Sequence, residues 1–475
     1  MVESSWDTAF GHLGGFQVNE NSLTQCLLFP DLFGRPVVAR FDQHDGSSDG
    51  GAVLLKAADR RLGLLQRLAA GLRDKREPAK VEHQLQELLC QRVFGIACGY
   101  ADANDAARLA EDPIHKMLLD RDPIEGDTLA SQPTLSRFEN GAGPRELFRM
   151  GEALADTVIE RHRRRLRGRA RRITIDFDPT DDPTHGAQQL SFFNGYYDTW
   201  CFLPLMGFIS FDDEAEQYLV ASVLRPGNVH GTAGFFGLLR RLVERLTEAF
   251  PNTSILVRLD ADYATPEVLE FLEDAALLYV VAMAKNSVLE HFAEPLMKRA
   301  RTLSRLSGRT ERVYGHRRYR ARRWNRWRRV IIKAEVTRLE GREGRDNPRF
   351  VITNLPGPPR RTYEKVYCER GDVENRIKEL HLGLQIDRTS CTRFWANQFR
   401  VLMTAAAYVL MQELRLRAAT TTSKRAQVWT LRERFLKMGV HVVRSVRRLV
   451  LHLPASFPFL SEWRAVAVSL GARTG

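Results

Sequence analysis

Residues 172–186 read Arg-Ile-Thr-Ile-Asp-Phe-Asp-Pro-Thr-Asp-Asp-Pro-Thr-His-Gly. Ile173, Ile175 and Phe177 alternate with Thr174, Asp176 and Asp178. That period of two predicts a strand with one apolar face and both aspartates on the other. Asp178 ends the strand, and the C-terminal ends of strands are where α/β sheets build their sites. An unpaired carboxylate on a buried strand is costly, so an aspartate ending one does not read as core filler. Outward from this stretch, further strands are expected at 201–210, 218–224, 254–260 and 277–284, with helices at 232–250 and 266–275. The alternation predicts an α/β fold with a mixed sheet flanked by helices. Asp260, closing Val257-Arg-Leu-Asp260, is a second acid at a strand end; a turn starter or helix cap is the competing reading.

The rest of the chain divides around that core. Residues 1–50 are loop-rich, with one strand expected at 36–41. Residues 52–150 have helical periodicity, clearest at 81–98, and 133–140 looks like a turn leading into a short helix. Together 1–150 reads as a mainly helical N-terminal DNA-binding region. The first part of the α/β domain covers 170–285. A basic, β-prone stretch at 286–360, with strands at 329–338 and 349–355, interrupts it. Helical pattern returns over 361–417, and 418–475 is a basic C-terminal region.

A third acid lies in that later helix. On a helical wheel, Tyr367, Arg370, Glu374, Lys378 and His381 share a stripe about 80° wide. Val366, Val373, Ile377, Leu380 and Leu384 form a second, apolar stripe beside it. The helix therefore lays one side on the sheet and turns an ordered polar row toward an adjoining cleft. A plain Glu374–Lys378 surface ion pair is the competing reading.

Lys+Arg number 71 against 58 Asp+Glu, a net charge of +13, and 60 of the 71 are arginine. Arginine forks bind phosphate bidentately, so the balance points to nucleic acid. The charge is local: eight arginines fall within 161–172, and 298–329 holds fourteen basic residues with one acid, Glu311. In the second run Tyr314, Tyr319, Trp324 and Trp327 interleave the arginines, a combination suited to phosphates and bases together. At 44% hydrophobic, wholesale disorder is excluded. The six cysteines lack CxxC pairing, which argues against a zinc ribbon or a disulfide scaffold. No apolar run is long enough to span a bilayer, and no leader pattern opens the chain. A cytoplasmic, nucleoid-associated protein is expected. P-loop, dinucleotide-binding and nucleophile-elbow motifs are absent, and His185 and His230 are isolated.

Separated carboxylates beside Arg, Lys and Tyr suit two-metal phosphoryl transfer on nucleic acid. The residues also carry a resemblance. Asp176 to Gly186 with its Thr-Asp-Asp-Pro-Thr-His-Gly run, then Gln189-Leu-Ser-Phe-Phe-Asn-Gly-Tyr-Tyr197 and Pro204-Leu205, resemble the first-aspartate region of DDE transposases from bacterial insertion sequences. Arg258-Leu-Asp260-Ala-Asp-Tyr263 is similar to their second-aspartate motif. Tyr367-x2-Arg370-x3-Glu374 matches their Tyr-Arg-Glu-Lys signature, with Thr353-Asn354-Leu355 before it and Asn140 far upstream. The resemblance covers roughly 80–410. It departs at His381, where the family has lysine seven residues after the glutamate, so Lys378 is the candidate substitute.

The resemblance implies an RNase H-like catalytic domain with a β-rich segment inserted between the second Asp and the Glu. It implies Asp178, Asp260 and Glu374 as catalytic metal ligands, with Asp176 as alternative first aspartate. Two Mg²⁺ ions are implied, with Mn²⁺ able to substitute. The implied partners are double-stranded DNA, at terminal inverted repeats and at target, and a second copy of the chain when paired ends are bound. Tyr367, Arg370 and Lys378 are expected to position phosphates. Arg322, Arg323, Trp324 and Trp327 are expected on DNA, with one indole holding a displaced base near the cut. A degenerate relative that binds DNA without cutting is the alternative.

Overall fold

The computed structural model describes residues 27–29, 34–338 and 342–473. Its centre is a nine-stranded sheet. Eight of its strands, in chain order, are β1 Arg172–Pro179, β2 Leu205–Phe211, β3 Tyr218–Val223, β4 Ser254–Leu259, β5 Leu278–Met283, β6 Glu311–Tyr319, β7 Arg328–Thr337 and β8 Arg349–Thr353. Across the sheet they run β6-β7-β8-β5-β4-β1-β2-β3, and the short strand Arg345–Asp346 pairs with β7. β4 lies parallel to both β1 and β5; every other pairing is antiparallel. The C-terminal ends of β1, β4 and β5 therefore share one end of the sheet.

Among the helices are α1 Pro144–Leu166, α2 Phe235–Ala249, α3 Pro266–Asp274, α4 Ser287–Ser307, α5 Gly371–Lys378 and α6 Phe394–Arg417. α2 and α3 are the crossovers that parallel pairing requires. α6 is buried along nearly its whole length. It packs on β3, on α1 and on the N-terminal helix Leu85–Cys98.

The segment 286–360 differs from its reading as β-prone material that interrupts the sheet. It opens with the 21-residue helix α4, started by Asn286, whose side chain accepts from the Leu289 N–H at 3.0 Å. Leu289, Ala293, Met297 and Ala300 form α4's buried stripe, but interspersed Lys and Arg mask it in the sequence. The strands after α4 extend the large sheet. β8 pairs with β5, Val280 opposite Thr353, and so covers an edge that would otherwise offer unpaired backbone groups.

The two ends of the described chain also meet. Gly46–Ser47 pairs with Val440–His441, and Trp463 Nε1 donates to the Phe435 carbonyl at 3.2 Å. Among the described residues no helix is long and apolar enough to cross a membrane.

Candidate active site

Asp176 sits opposite Arg258 in the register of β1 and β4. Two residues further along each strand come Asp178 and Asp260, side by side at the strands' C-terminal ends. α5 lies across that end with Val373 and Ile377 buried beneath it and Glu374 exposed. Asp178, Asp260, Glu374, Arg370, Lys378 and His381 all line one cleft of about 740 Å³.

The two aspartates of β1 have different surroundings. Asp176 is fully buried and bound on both oxygens by Arg258, with Nε to Oδ1 at 2.8 Å and Nη2 to Oδ2 at 2.7 Å. Arg258 Nη1 also donates to the Val366 carbonyl at 2.9 Å, tying the sheet to the segment before α5. Asp176 is thus a tie in the core and does not line the cleft.

At the cleft floor Arg370 Nη2 donates to Asp178 Oδ1 at 2.6 Å and lies 3.6 Å from Asp260 Oδ2. Burial pushes the Asp178 carboxyl up to about 6; Arg370 opposes that shift, while Asp260 and Glu374 add to it. Burial raises Asp260 in the same sense. Burial disfavours charge on Arg370, but Asp178 and Asp260 outweigh it and hold the guanidinium charged. A cation therefore already stands where two carboxylates converge, and three all-oxygen donors suit a hard divalent ion such as Mg²⁺ or Mn²⁺.

The remaining expected residues fall in different places. Lys378 is exposed at the cleft. His381, in the position of the family's lysine, has Nε2 3.2 Å from Thr180 Oγ1 and Nδ1 3.2 Å from Asp387 Oδ2. Tyr367 is half-buried against Tyr363, ring centroids 5.4 Å apart, and is not a lining residue. The helix leading into and out of α5 widens by one residue per turn at 363–367 and 379–383. A regular wheel misses such turns, which recur at functional sites.

Arg322, Arg323, Trp324 and Trp327 are not part of this cleft. They form the turn between β6 and β7, not a strand as the alternating reading supposed. The register carries Arg329 across Thr353, Val280 and Arg258 to Asp176, and the turn beyond Arg328 lies along α3 and the start of α4: Arg328 pairs with Glu273, Arg323 is near Glu267, and Tyr319 is edge-on to Phe292. β7 is four strands from β1, roughly 19 Å. Trp324 is 3% exposed, edge-on to Tyr319 and beneath Arg328, whereas Trp327 is 55% exposed.

The Arg161–Arg172 run is also less free than its composition suggests. Arg161 pairs with Glu413, Arg163 and Arg164 with Glu160, Arg165 with Glu214, and Arg171 and Arg172 with Asp213.

Two features escaped the sequence reading. Asp182 is buried and accepts the Thr389 hydroxyl at 2.9 Å on each oxygen. Gln188 donates to the Thr389 and Cys391 carbonyls, so the Thr-Asp-Asp-Pro-Thr-His-Gly loop is pinned to the connection between α5 and α6. Away from the cleft, Asp49, Cys98 and His115 form a buried group of ligand type. There Lys437 Nζ, 2.7 Å from Asp49 Oδ1, already supplies the cation, and burial raises the Cys98 thiol.

The family described as "Transposase DDE domain group 1" matches residues 29–473. The chain belongs to this DDE transposase family. The match runs through the transposase's N-terminal helices, the large sheet and the C-terminal helix alike. A search of curated proteins finds no match. Among solved structures, the transposase is similar to a piggyBac transposase in a synaptic complex with hairpin DNA, at 12% identity and TM-score 0.40, over 82% of this chain and 78% of that one.

Proposed function

We propose that the protein cuts DNA at the terminal inverted repeats of an insertion sequence and joins the 3′-OH ends to target DNA, with Asp178, Asp260 and Glu374 as the catalytic acids. The observation that carries this reading is that three carboxylates, from two neighbouring parallel strands and one helix, line one cleft, with two of them against the Arg370 guanidinium. Strand order β3-β2-β1-β4-β5, with β1, β4 and β5 parallel, is the part we read as the RNase H-like unit.

Asp178, Asp260 and Glu374 would hold the divalent ions, Mg²⁺ or Mn²⁺. When bound, such ions supply activation of the attacking oxygen and charge stabilisation on the leaving one. The chain's own residues do the positioning. Lys378, exposed beside Glu374, offers three rotatable donors to an incoming phosphate. Arg370 balances the aspartates while the cleft holds no other cation. Thr180 and Asp387 fix the His381 ring by its two nitrogens. We assign selection of the terminal sequence to the N-terminal region. Double-stranded DNA is the partner, with two copies of the chain on paired ends, in the bacterial cytoplasm.

The test uses a duplex carrying the element's end, with Mg²⁺. Asp178→Asn, Asp260→Asn and Glu374→Gln should each abolish cleavage while retaining end binding. Undiminished cleavage by any one of them would remove that residue from the site.

A further inference from the structure

A cluster of six arginines lies far from the carboxylates. A cleft of about 430 Å³ is walled by Arg61 and Arg67 from the N-terminal helices, Arg161, Arg164 and Arg165 from the last turns of α1, and Arg417 from the end of α6. Chain direction fixes its place. α1 ends at Leu166, six residues before β1 begins, and Arg165 reaches Glu214 in the turn between β2 and β3. The cleft is thus at the start of β1, while Asp178 is at its end, roughly 20 Å along the strand.

The walls are built, not merely crowded. Arg161 and Arg417 share the buried Glu413, with contacts of 2.7 Å each. Arg61 and Arg417 each donate an Nη1 hydrogen to the Ser469 carbonyl, at 3.1 and 3.2 Å. Those partners orient the guanidinium forks in advance. They do not neutralise them: six arginines meet only Glu160, Glu413 and Glu214, and exposed Arg167 and Arg169 continue the patch. Six guanidinium groups against three carboxylates leave the cleft net positive, with Arg61 and Arg67 in no ion pair among the described residues, and pre-oriented forks of that kind fit phosphodiester oxygens.

We propose that this arginine cleft is a second DNA site, binding the backbone of a duplex segment other than the one held at the carboxylates. That the two segments differ rests on the cleavage reading above; the binding itself does not. Phosphate contacts of this kind carry no base information, so the site accepts any sequence. The segment is either the flank of the DNA being cut, returning round the molecule, or a separate duplex.

The experiment titrates full-length protein with a short fluorescein-labelled duplex of arbitrary sequence at several salt concentrations. Arg67→Glu and Arg164→Glu, alone and combined, alter exposed side chains outside the catalytic cleft, and Arg67→Ala with Arg164→Ala serves as a milder pair. Wild type should bind two duplexes per chain. The double variant should lose the weaker one by about tenfold or more, and its salt slope should fall by about two. Its cleavage of an end-containing duplex with Mg²⁺ should stay at the wild-type rate. Unchanged stoichiometry and slope in both pairs would overturn the proposal. A protein that does not cleave at all would sink the proposed function, and the stoichiometry would still decide this site. A long end-containing duplex that fills both sites as one molecule identifies the flank; a second short duplex bound alongside it identifies a separate DNA.

Discussion

At the residue scale, Asp176 and Asp178 show what a strand pattern settles. A period of two places both on one face, and that much was legible from Ile173 to Asp178. It says nothing of depth, because depth is set by what crosses the strand. Here Arg258 caps Asp176, whereas Asp178, next to last in the strand, opens on the cleft. Asp176→Asn should therefore strip the buried Arg258 of its bidentate partner, leaving only the half-exposed Glu369 at 3.7 Å, and cost about 3 kcal/mol, measurable by denaturant unfolding. A variant as stable as wild type would show that Arg258 finds another partner. His162 gives a second expectation. It is buried between Phe211 and Tyr218, and its Nδ1 accepts from Arg165 Nε at 3.0 Å. Burial, then Arg165 and Arg161, push its proton affinity well below the ordinary histidine value. The unfolded chain binds that proton near pH 6.5, so the stabilisation is complete above this pH and is lost as pH falls toward the folded value. The stability advantage of wild type over His162→Phe should thus shrink between pH 7.5 and 5.5. A gap constant across that range would reject the assignment.

At the scale of elements, the β6–β7 turn was legible in composition and illegible in place. Alternating arginine and aromatic residues announce a nucleic-acid surface, yet which end of a sheet a turn occupies depends on counting every crossover before it. β8 runs against β5, β7 runs against β8, and the turn comes to lie along α3 and the start of α4, outside the carboxylate cleft. The two indoles consequently separate by stability rather than by chemistry. Trp324→Ala should cost about 3–5 kcal/mol as a core truncation, and Trp327→Ala close to nothing. Cleavage of a single DNA end by the Trp327 variant should match wild type. A slowed Trp327→Ala enzyme of normal stability would place that ring at the cut after all, contributed by another copy of the chain. The helix around Glu374 illustrates the converse. Its apolar stripe was readable, since Val373, Ile377, Leu380 and Leu384 are all buried, but the two widened turns leave no compositional trace.

At the scale of the whole molecule, the helices before residue 166 and the segment after 418 share one hydrophobic core with the sheet. Phe138 from the N-terminal helices meets Phe399 of α6 edge-on, with centroids 4.9 Å apart. The regions were separable by composition because each has its own periodicity, but periodicity does not reveal who buries whom. Arg370 has a consequence at this scale. A cluster of acids with no counter-charge would strain the fold whenever divalent ions were scarce. Here the molecule carries its own tethered counter-ion on the α5 side of the cleft, so its integrity is decoupled from its supply of metal. Exhaustive chelation should silence cleavage without lowering the melting temperature, and adding back Mg²⁺ should restore activity without any refolding lag. A melting transition that collapses in chelator would mean the guanidinium cannot stand in. Such a protein could wait fully assembled on DNA, inert and undamaged, until ions arrive.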